Sequence, residues 1–351
     1  MMRGFLAICA AATALIWGAQ MAEARYTILG FDQLDGWEGD DHRAALDVFL
    51  STCADMDDPD WDPVCILAGR QSNARTFFEA FFRPVLIEDG APGLYTGYFE
   101  PELLGSKKPT ARFRYPLYRK PSTIPPGTAW YTRGEIEEQR VMDGRNLEIA
   151  FVESPVDVFF LQVQGSGRVK LVEGGVIRVG YGGNNGHPYR SVGSEMVRRG
   201  LLPQHKVSAQ VIRNWVQQYP DEGARLLRHN PSFVFFREVN RVAADKGPLG
   251  AMNRSITTDR TVAIDPAYVP LGAPVWLEKD GKSPIRRLMV AQDTGSAIKG
   301  FSLKDAVSAL RADIFYGTGS EAGRTAGRIK DPGRIVVLMP IQRAFALVPE
   351  G

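Results

Sequence analysis

The chain has 351 residues, of which 44% are hydrophobic and 23% charged, with 42 Lys and Arg against 40 Asp and Glu. That composition excludes a disordered or coiled-coil protein, and a formal net charge of +2 without a basic run gives no footprint for nucleic acid. The length favours two domains over one.

Arg3 precedes an apolar run from Phe5 to Gly18, and Ala22-Glu23-Ala24 has the A-x-A form of a cleavage site. Residues 1–24 therefore read as a signal peptide, the run being too short to favour a membrane span. Cys9 lies behind Ile8, which is not a lipidation box. The expectation is an exported, periplasmic protein starting near Arg25, with outer-membrane association left open. In that compartment Cys53 and Cys65 read as a disulfide, against the alternative of two buried thiols. No C-x-x-C or H-E-x-x-H motif is present, so neither a metal nor a cofactor is expected.

Leu46, Phe49, Leu50 and Cys53 recur at helical spacing and predict a helix over 38–54, ended by an Asp- and Pro-rich loop. Ser72 reads as the N-cap of a second helix carrying Phe77, Phe78, Phe81 and Phe82 as a core stripe up to Pro84. Alternating Leu94, Thr96 and Tyr98 predict a strand. After Glu102 a Pro- and Gly-rich stretch leads into another unit. Strands are predicted over Leu147–Val152, Val156–Gln164, Arg168–Val172 and Val176–Val179, then helices over Ser208–Tyr219 and Asp221–His229.

Two motifs in this middle unit suit sugar. Gln162 to Gly167 reads Q-V-Q-G-S-G and ends a predicted strand in a flexible turn. Tyr181 to Arg190 reads Y-G-G-N-N-G-H-P-Y-R, combining amides that bond hydroxyl and N-acetyl groups with rings that stack on pyranose faces. His187 alone is as readily a structural imidazole bonded to backbone. Further on, Leu288 to Ala291 predicts a buried strand ending on Asp293, and Asp313 opens a second apolar run that stops at Gly317 and Gly319. Carboxylates beside apolar walls have raised pKa values suited to general acid work, although each aspartate alone also fits a turn cap. Between them, Ser302 and Asp305 form a capping-box pattern, with Leu303, Val307 and Leu310 at helical spacing. A short extra helix is predicted there.

Taken together, D-T-G-S-A-I-K-G, R-A-D-I-F-Y-G-T-G and A-G-R-I-K-D-P-G-R-I-V-V-L-M-P resemble the three-aspartate (3D) domain of the membrane-bound lytic murein transglycosylase A family. With T-G-Y, the two sugar-suited motifs and N-P-S-F-V-F-F, the resemblance covers the chain from about Gly93 to Pro340. It implies a mainly β fold: a double-psi β-barrel built from 25–100 and 238–351 with N-terminal helices, interrupted by an inserted β-rich domain over 101–237. The groove between them is the implied glycan site.

The resemblance further implies Asp313 as the catalytic acid, Asp293 as its supporting carboxylate and Asp265 as the third aspartate. Thr96, Gly97 and Tyr98 fall in the implied substrate groove, with Gln164, Gly165, Ser166, Gly167, Asn185, Gly186, His187, Tyr189 and Arg190 as further substrate-binding candidates. The implied reaction is cleavage of the MurNAc-GlcNAc β-1,4 bond of peptidoglycan with closure of a 1,6-anhydro ring. Two alternatives stay open: a peptidoglycan or glucan hydrolase using two aspartates, and a wall-binding protein without turnover. The expected partners are glycan strands and cell-wall enzyme complexes, with the protein a monomer.

Overall fold

The computed structural model describes residues 24–88, 91–298 and 310–348. Residues 1–23 of the predicted signal peptide and 301–309 of the predicted extra helix lie outside the described residues.

In chain order the elements are β1 (Arg25–Ile28), α1 (His42–Cys53), α2 (Asp62–Ala68), α3 (Ala74–Phe81), β2 (Phe82–Glu88), β3 (Gly93–Glu100), β4 (Glu102–Ser106) and β5 (Tyr115–Tyr118). Then come α4 (Arg133–Glu138), β6 (Glu148–Val152), α5 (Pro155–Gln164), β7 (Gly167–Leu171), β8 (Val176–Asn184), α6 (Val192–Arg198), α7 (Ala209–Gln218), α8 (Pro220–Leu227) and β9 (Val234–Glu238). The C-terminal part holds β10 (Thr261–Ala263), β11 (Pro274–Lys279), β12 (Ile285–Asp293), β13 (Arg311–Thr318), α9 (Gly319–Ala326), β14 (Asp331–Pro340) and α10 (Ile341–Leu347).

The strands form two sheets that divide the sequence at Pro101. One runs β1-β2-β14-β11-β12-β10-β13-β3, and an additional β14–β3 pairing closes its last six strands into a barrel. Closure removes the free edges that an open sheet would present. The other runs β5-β6-β4-β7-β8-β9, with an isolated bridge from Arg119 to Phe236 drawing its two ends together. The protein is mainly β, with two barrel-like sheets and helices around them.

The barrel core holds Val275, Trp276, Leu288, Val290, Ile314 and Val336, all buried, and extends into the N-terminal helices through Phe49, Trp61, Phe77, Phe78 and Phe82. The Phe stripe is core, as its spacing predicts. Its helix is shorter than expected, however. Asn73 caps α3 by accepting from the Thr76 amide at 3.1 Å, and Phe82 already begins β2. Pro84 lies within β2 opposite Leu338, so it does not stop the helix. Likewise α1 starts only at His42, where the Asp41 side chain accepts from the Ala44 amide at 3.0 Å. Cys53 at the end of α1 is disulfide-bonded to Cys65 in α2, with Cα atoms 5.5 Å apart.

Residues 156–164, predicted as a strand, belong to helix α5. Ser154 caps it, accepting from the Val156 amide at 3.3 Å, and Pro155 occupies its first turn. Burial of Val156, Val158, Phe159, Phe160, Leu161 and Gln162 erases the amphipathic period that separates helix from strand. The Ser-Pro start and ten-residue length were the better signals. Consequently Q-V-Q-G-S-G ends a helix, with Gly165 taking the left-handed C-cap at φ 78°.

At the passage between the sheets, Glu100 has a side chain only 1% exposed. It accepts from Arg168 Nε at 2.8 Å, Arg178 Nη2 at 3.1 Å and Thr318 Oγ1 at 2.8 Å. The arginines spend further N–H groups on the carbonyls of Ala243, Ala244 and Lys246. One carboxylate thus joins β3 and β13 of the barrel to β7 and β8 of the second sheet.

Candidate active site

Ala263 on β10 pairs with Asp293 of β12 on one side and Asp313 of β13 on the other. The two aspartates therefore flank one barrel position, their Cα atoms about 9–10 Å apart by strand spacing. Strand β3 runs parallel to β13 with Thr96 opposite Asp313. Thr96 Oγ1 donates to Asp313 Oδ1 at 2.7 Å, while Tyr98, two residues along, donates its hydroxyl to Asp293 Oδ2 at 2.9 Å. The Tyr98 ring is steadied against Phe315, with centroids 5.2 Å apart.

These neighbours treat the two carboxyls differently. Asp293 Oδ1 also accepts from the amides of Ala251 at 3.0 Å and Thr294 at 2.9 Å. Burial raises the Asp293 pKa to about 6 against the pull of these three donors. Burial raises Asp313 further, to about 7, opposed by the Thr96 hydroxyl and the Arg311 charge and assisted by repulsion from Asp293. Charge-stabilising hydrogen bonds are more numerous at Asp293, so Asp313 is the group held protonated near neutrality. Arg311 also ties the loop after Asp293, donating to the Ala297 carbonyl at 2.7 Å.

A cleft of about 690 Å³, open to solvent, lies over both acids. Its barrel wall includes Tyr98, Ala263, Asp293, the 294–298 loop and Asp313, and its opposite wall includes Arg133, Gln162, Gln164, Tyr189, Asn230 and Ser232. Arg133 is 2% exposed. Its guanidinium lies between the rings of Phe159 and Phe233, 4.9 and 5.2 Å from their centroids. It donates to Gln162 Oε1 and, at 2.9 Å, to the Ser232 carbonyl. Burial pushes the Arg133 pKa down.

Of the residues expected from sequence, Asp293, Asp313, Tyr98, Gln164 and Tyr189 line the cleft, and Thr96 holds Asp313. Others lie behind it and have structural contacts there. Asp265 accepts from the Ala267 amide at 3.2 Å in the turn after β10. A Cβ on Gly97 would stand 2.8 Å from Ala326 Cα, so this glycine admits helix α9 against β3. Gly165, Ser166 and Gly167 form the exit from α5, and Asn185 is fully buried, bonded to the main chain of Tyr131, Pro231 and Phe233. His187 Nε2 meets the Trp130 carbonyl at 2.6 Å, Gly186 bonds back to Asn184, and Arg190 donates its backbone amide to Asn230. These residues are not among those lining the cleft.

Sequence reasoning missed Arg133 and Arg311 and did not single out Asn230 and Ser232 within N-P-S-F-V-F-F. An isolated Arg at the start of a short helix carries no spacing signal. Among the described residues no group of three or more His, Cys, Asp or Glu is placed to hold a metal ion.

Comparison with known proteins places these features in context. Residues 94–237 match the model of the MltA specific insert domain, and residues 260–339 match that of the 3D domain. A membrane-bound lytic murein transglycosylase A from Vibrio cholerae is 34% identical over 271 residues, spanning 73% of this chain and 69% of the relative. The crystal structure of a membrane-bound lytic murein transglycosylase from Agrobacterium tumefaciens superposes with a TM-score of 0.79 at 31% identity, covering 92% of this chain and 99% of that one. The structure of E. coli MltA with bound chitohexaose matches with a TM-score of 0.67 at 27% identity, over 86% and 89% of the two chains.

Proposed function

The chain belongs to the lytic murein transglycosylase A family, and from that premise we propose that it cleaves the MurNAc-GlcNAc β-1,4 bond of peptidoglycan without consuming water, using Asp313 as its one acid–base group. The observation that carries this reading is the unequal hydrogen bonding of two carboxyls in one cleft: among the described residues Asp293 accepts from the Tyr98 hydroxyl and from the amides of Ala251 and Thr294, whereas Asp313 accepts from Thr96 Oγ1. Near neutrality Asp313 keeps a proton to give, whereas Asp293 is the more ionised. The relative crystallised with chitohexaose supports a β-1,4-linked amino sugar polymer as the ligand class.

In this mechanism the Asp313 carboxyl protonates the glycosidic oxygen as the bond to C1 of the muramic residue breaks. Positive charge develops at C1 and the ring oxygen, where the Asp293 carboxylate stabilises it. The Asp313 carboxylate then takes the proton of the C6 hydroxyl as O6 bonds to C1. The acid is thereby regenerated, a 1,6-anhydro ring closes, and the released N-acetylglucosamine carries the new hydroxyl. Because the nucleophile is already part of the substrate, its effective concentration is high and no second carboxylate is needed to activate water. Tyr98 and Thr96 act as positioning residues, each holding one carboxyl.

Export to the periplasm belongs to the same proposal, resting on the A-x-A site and on the wall polymer as substrate. Among the described residues no helix is long and apolar enough to cross a membrane.

The test is substitution of the two acids in parallel. Asp313→Asn is expected to fold and lose turnover of purified sacculi by about 10²–10⁴-fold or more, and Asp293→Asn to lose less. An active Asp313→Asn beside a dead Asp293→Asn would reverse the assignment.

A further inference from the structure

The cleft wall opposite the acids has a polarity of its own. Three of its side chains are amides, and each spends its oxygen on a group that can only donate. Gln162 Oε1 accepts from Arg133 Nη2, Gln164 Oε1 from the Phe99 amide at 3.0 Å, and Asn230 Oδ1 from the amides of Arg190 at 3.0 Å and Ser232 at 3.2 Å. Those partners fix the orientation of each amide, since a carbonyl oxygen alone can satisfy them. What remains toward the cleft are N–H groups. Gln162 Nε2 spends one on the Val234 carbonyl at 2.9 Å, whereas the side-chain nitrogens of Gln164 and Asn230 have no acceptor among the described residues and are left as donors.

Behind this rim stands Arg133, the one cation among the described lining residues. Its charge is poorly compensated. Glu137 is 3.4 Å away and is engaged more closely by Arg228, at 3.0 Å. Arg133 Nε is buried without a hydrogen-bond partner among the described residues. A desolvated cation under a rim of donors favours an acceptor-rich, preferably anionic group on the ligand. The facing wall carries the Asp293 carboxylate, which repels such a group, so the cleft distinguishes the two sides of a bound sugar.

The two alternating sugars of the proposed substrate differ in one substituent. Muramic acid carries a 3-O-lactyl group, a carboxylate when free and an amide when a peptide is attached, and both forms present acceptor oxygens. We propose that the donor rim of Arg133, Gln164 and Asn230, oriented by Gln162, recognises this lactyl group and so fixes which of the two linkages lies over Asp313. The proposal rests on the transglycosylase reading. It adds a determinant for the choice of bond.

The experiment measures binding to the mature chain bearing Asp313→Asn, so that ligands persist. Three probes are compared: a peptide-free alternating GlcNAc-MurNAc hexasaccharide, the same ligand with its lactyl carboxyls converted to methylamides, and chitohexaose. Charge-assisted bonds to one lactyl group predict about 10–100-fold tighter binding of the carboxylate ligand than of chitohexaose, with the amide ligand between. Adding Arg133→Lys, or Gln162→Glu if the lysine variant does not fold, is expected to bring the carboxylate and chitohexaose affinities within about twofold. The glutamate gives Arg133 an internal counter-ion at nearly unchanged side-chain size, losing the hydrogen bond to the Val234 carbonyl. Equal binding of all three probes, or a preference unchanged by Gln162→Glu in a folded protein, would overturn the inference while leaving the reaction standing. No binding of any probe by the Asp313→Asn chain, together with no turnover of sacculi by the wild type, would instead remove the transglycosylase reading and this inference with it.

Discussion

On the barrel side of the cleft, Asp293 and Asp313 flank the same residue of one short strand, and Thr96 and Tyr98 reach them from a neighbouring strand. On the opposite side, Arg133, Gln162, Gln164, Asn230 and Ser232 come from a helix start, a helix end and the approach to a strand, spread over about a hundred residues of chain. In the proposed mechanism the barrel wall holds the groups that give and take protons, positioned by a hydrogen-bonded ladder. The other wall holds donors whose orientation is set by backbone amides at Gln164 and Asn230 and by Arg133 at Gln162. Proton transfer demands placement within a fraction of an ångström, which a closed barrel supplies; recognition of a substituent tolerates a wall assembled from helix ends.

The sharpest way to break this division of labour is at the joint. Glu100→Ala leaves Arg168 and Arg178 without their buried counter-charge, a loss of about 3–5 kcal/mol. The melting temperature is expected to fall steeply and turnover with it, although the Glu100 partners Arg168, Arg178 and Thr318 do not line the cleft. Urea unfolding of the variant checks the magnitude, and a wild-type midpoint would show that the two sheets are joined by other contacts.

The barrel wall can be isolated through the stability of Asp313→Asn. The folded pKa of about 7 lies above the unfolded value, so the folded state binds the extra proton. Stability from this group is full below about pH 4, falls as pH rises through 7, and is lost above it. At pH 8 the ionised carboxyl costs up to about 4 kcal/mol, which asparagine removes. The inactive variant should therefore melt higher than wild type at pH 8, with the gap closing toward pH 4. A gap that does not depend on pH would mean Asp313 is not held protonated by its surroundings. Away from both walls, opening the Cys53–Cys65 bridge should cost about 3 kcal/mol and leave activity at low temperature intact, as read from paired melting and turnover curves of Cys53→Ala/Cys65→Ala.

The smallest effect is the most specific. Arg311 lowers the Asp313 pKa through its charge. Arg311→Gln should move the alkaline limb of the pH–rate profile upward, by less than about one unit, whereas loss of the loop contact to Ala297 alone would lower the rate at every pH without moving the limb. The two carboxyls titrate together, so the profile reports apparent values of the pair.

How far each wall could be read in the sequence follows from the same contrast. Asp293, Asp313 and the T-G-Y strand lie in apolar runs closed by glycines, where strand period and turn chemistry are local signals. The Phe77 to Phe82 stripe was legible for the same reason. Helix α5 was not, because burial on every side left the valine- and phenylalanine-rich run from Val156 without a period. Asn185 and His187 have the composition of a sugar site, and in the structure both are bonded to main-chain carbonyls. Composition cannot tell a polar group that binds the chain from one that binds a ligand. Arg133 gave no signal, since its partners Gln162 and Ser232 lie 29 and 99 residues away along the chain.

The central claim is that Asp313 works alone and that water takes no part. Digestion of sacculi in ¹⁸O-labelled water tests it most directly. The account predicts muropeptides unlabelled at C1, about 18–20 mass units lighter than hydrolysed products and resistant to borohydride, because O6 serves as the nucleophile in place of water. Reducible products carrying ¹⁸O at C1 would contradict it and would make Asp293 the base that activates water.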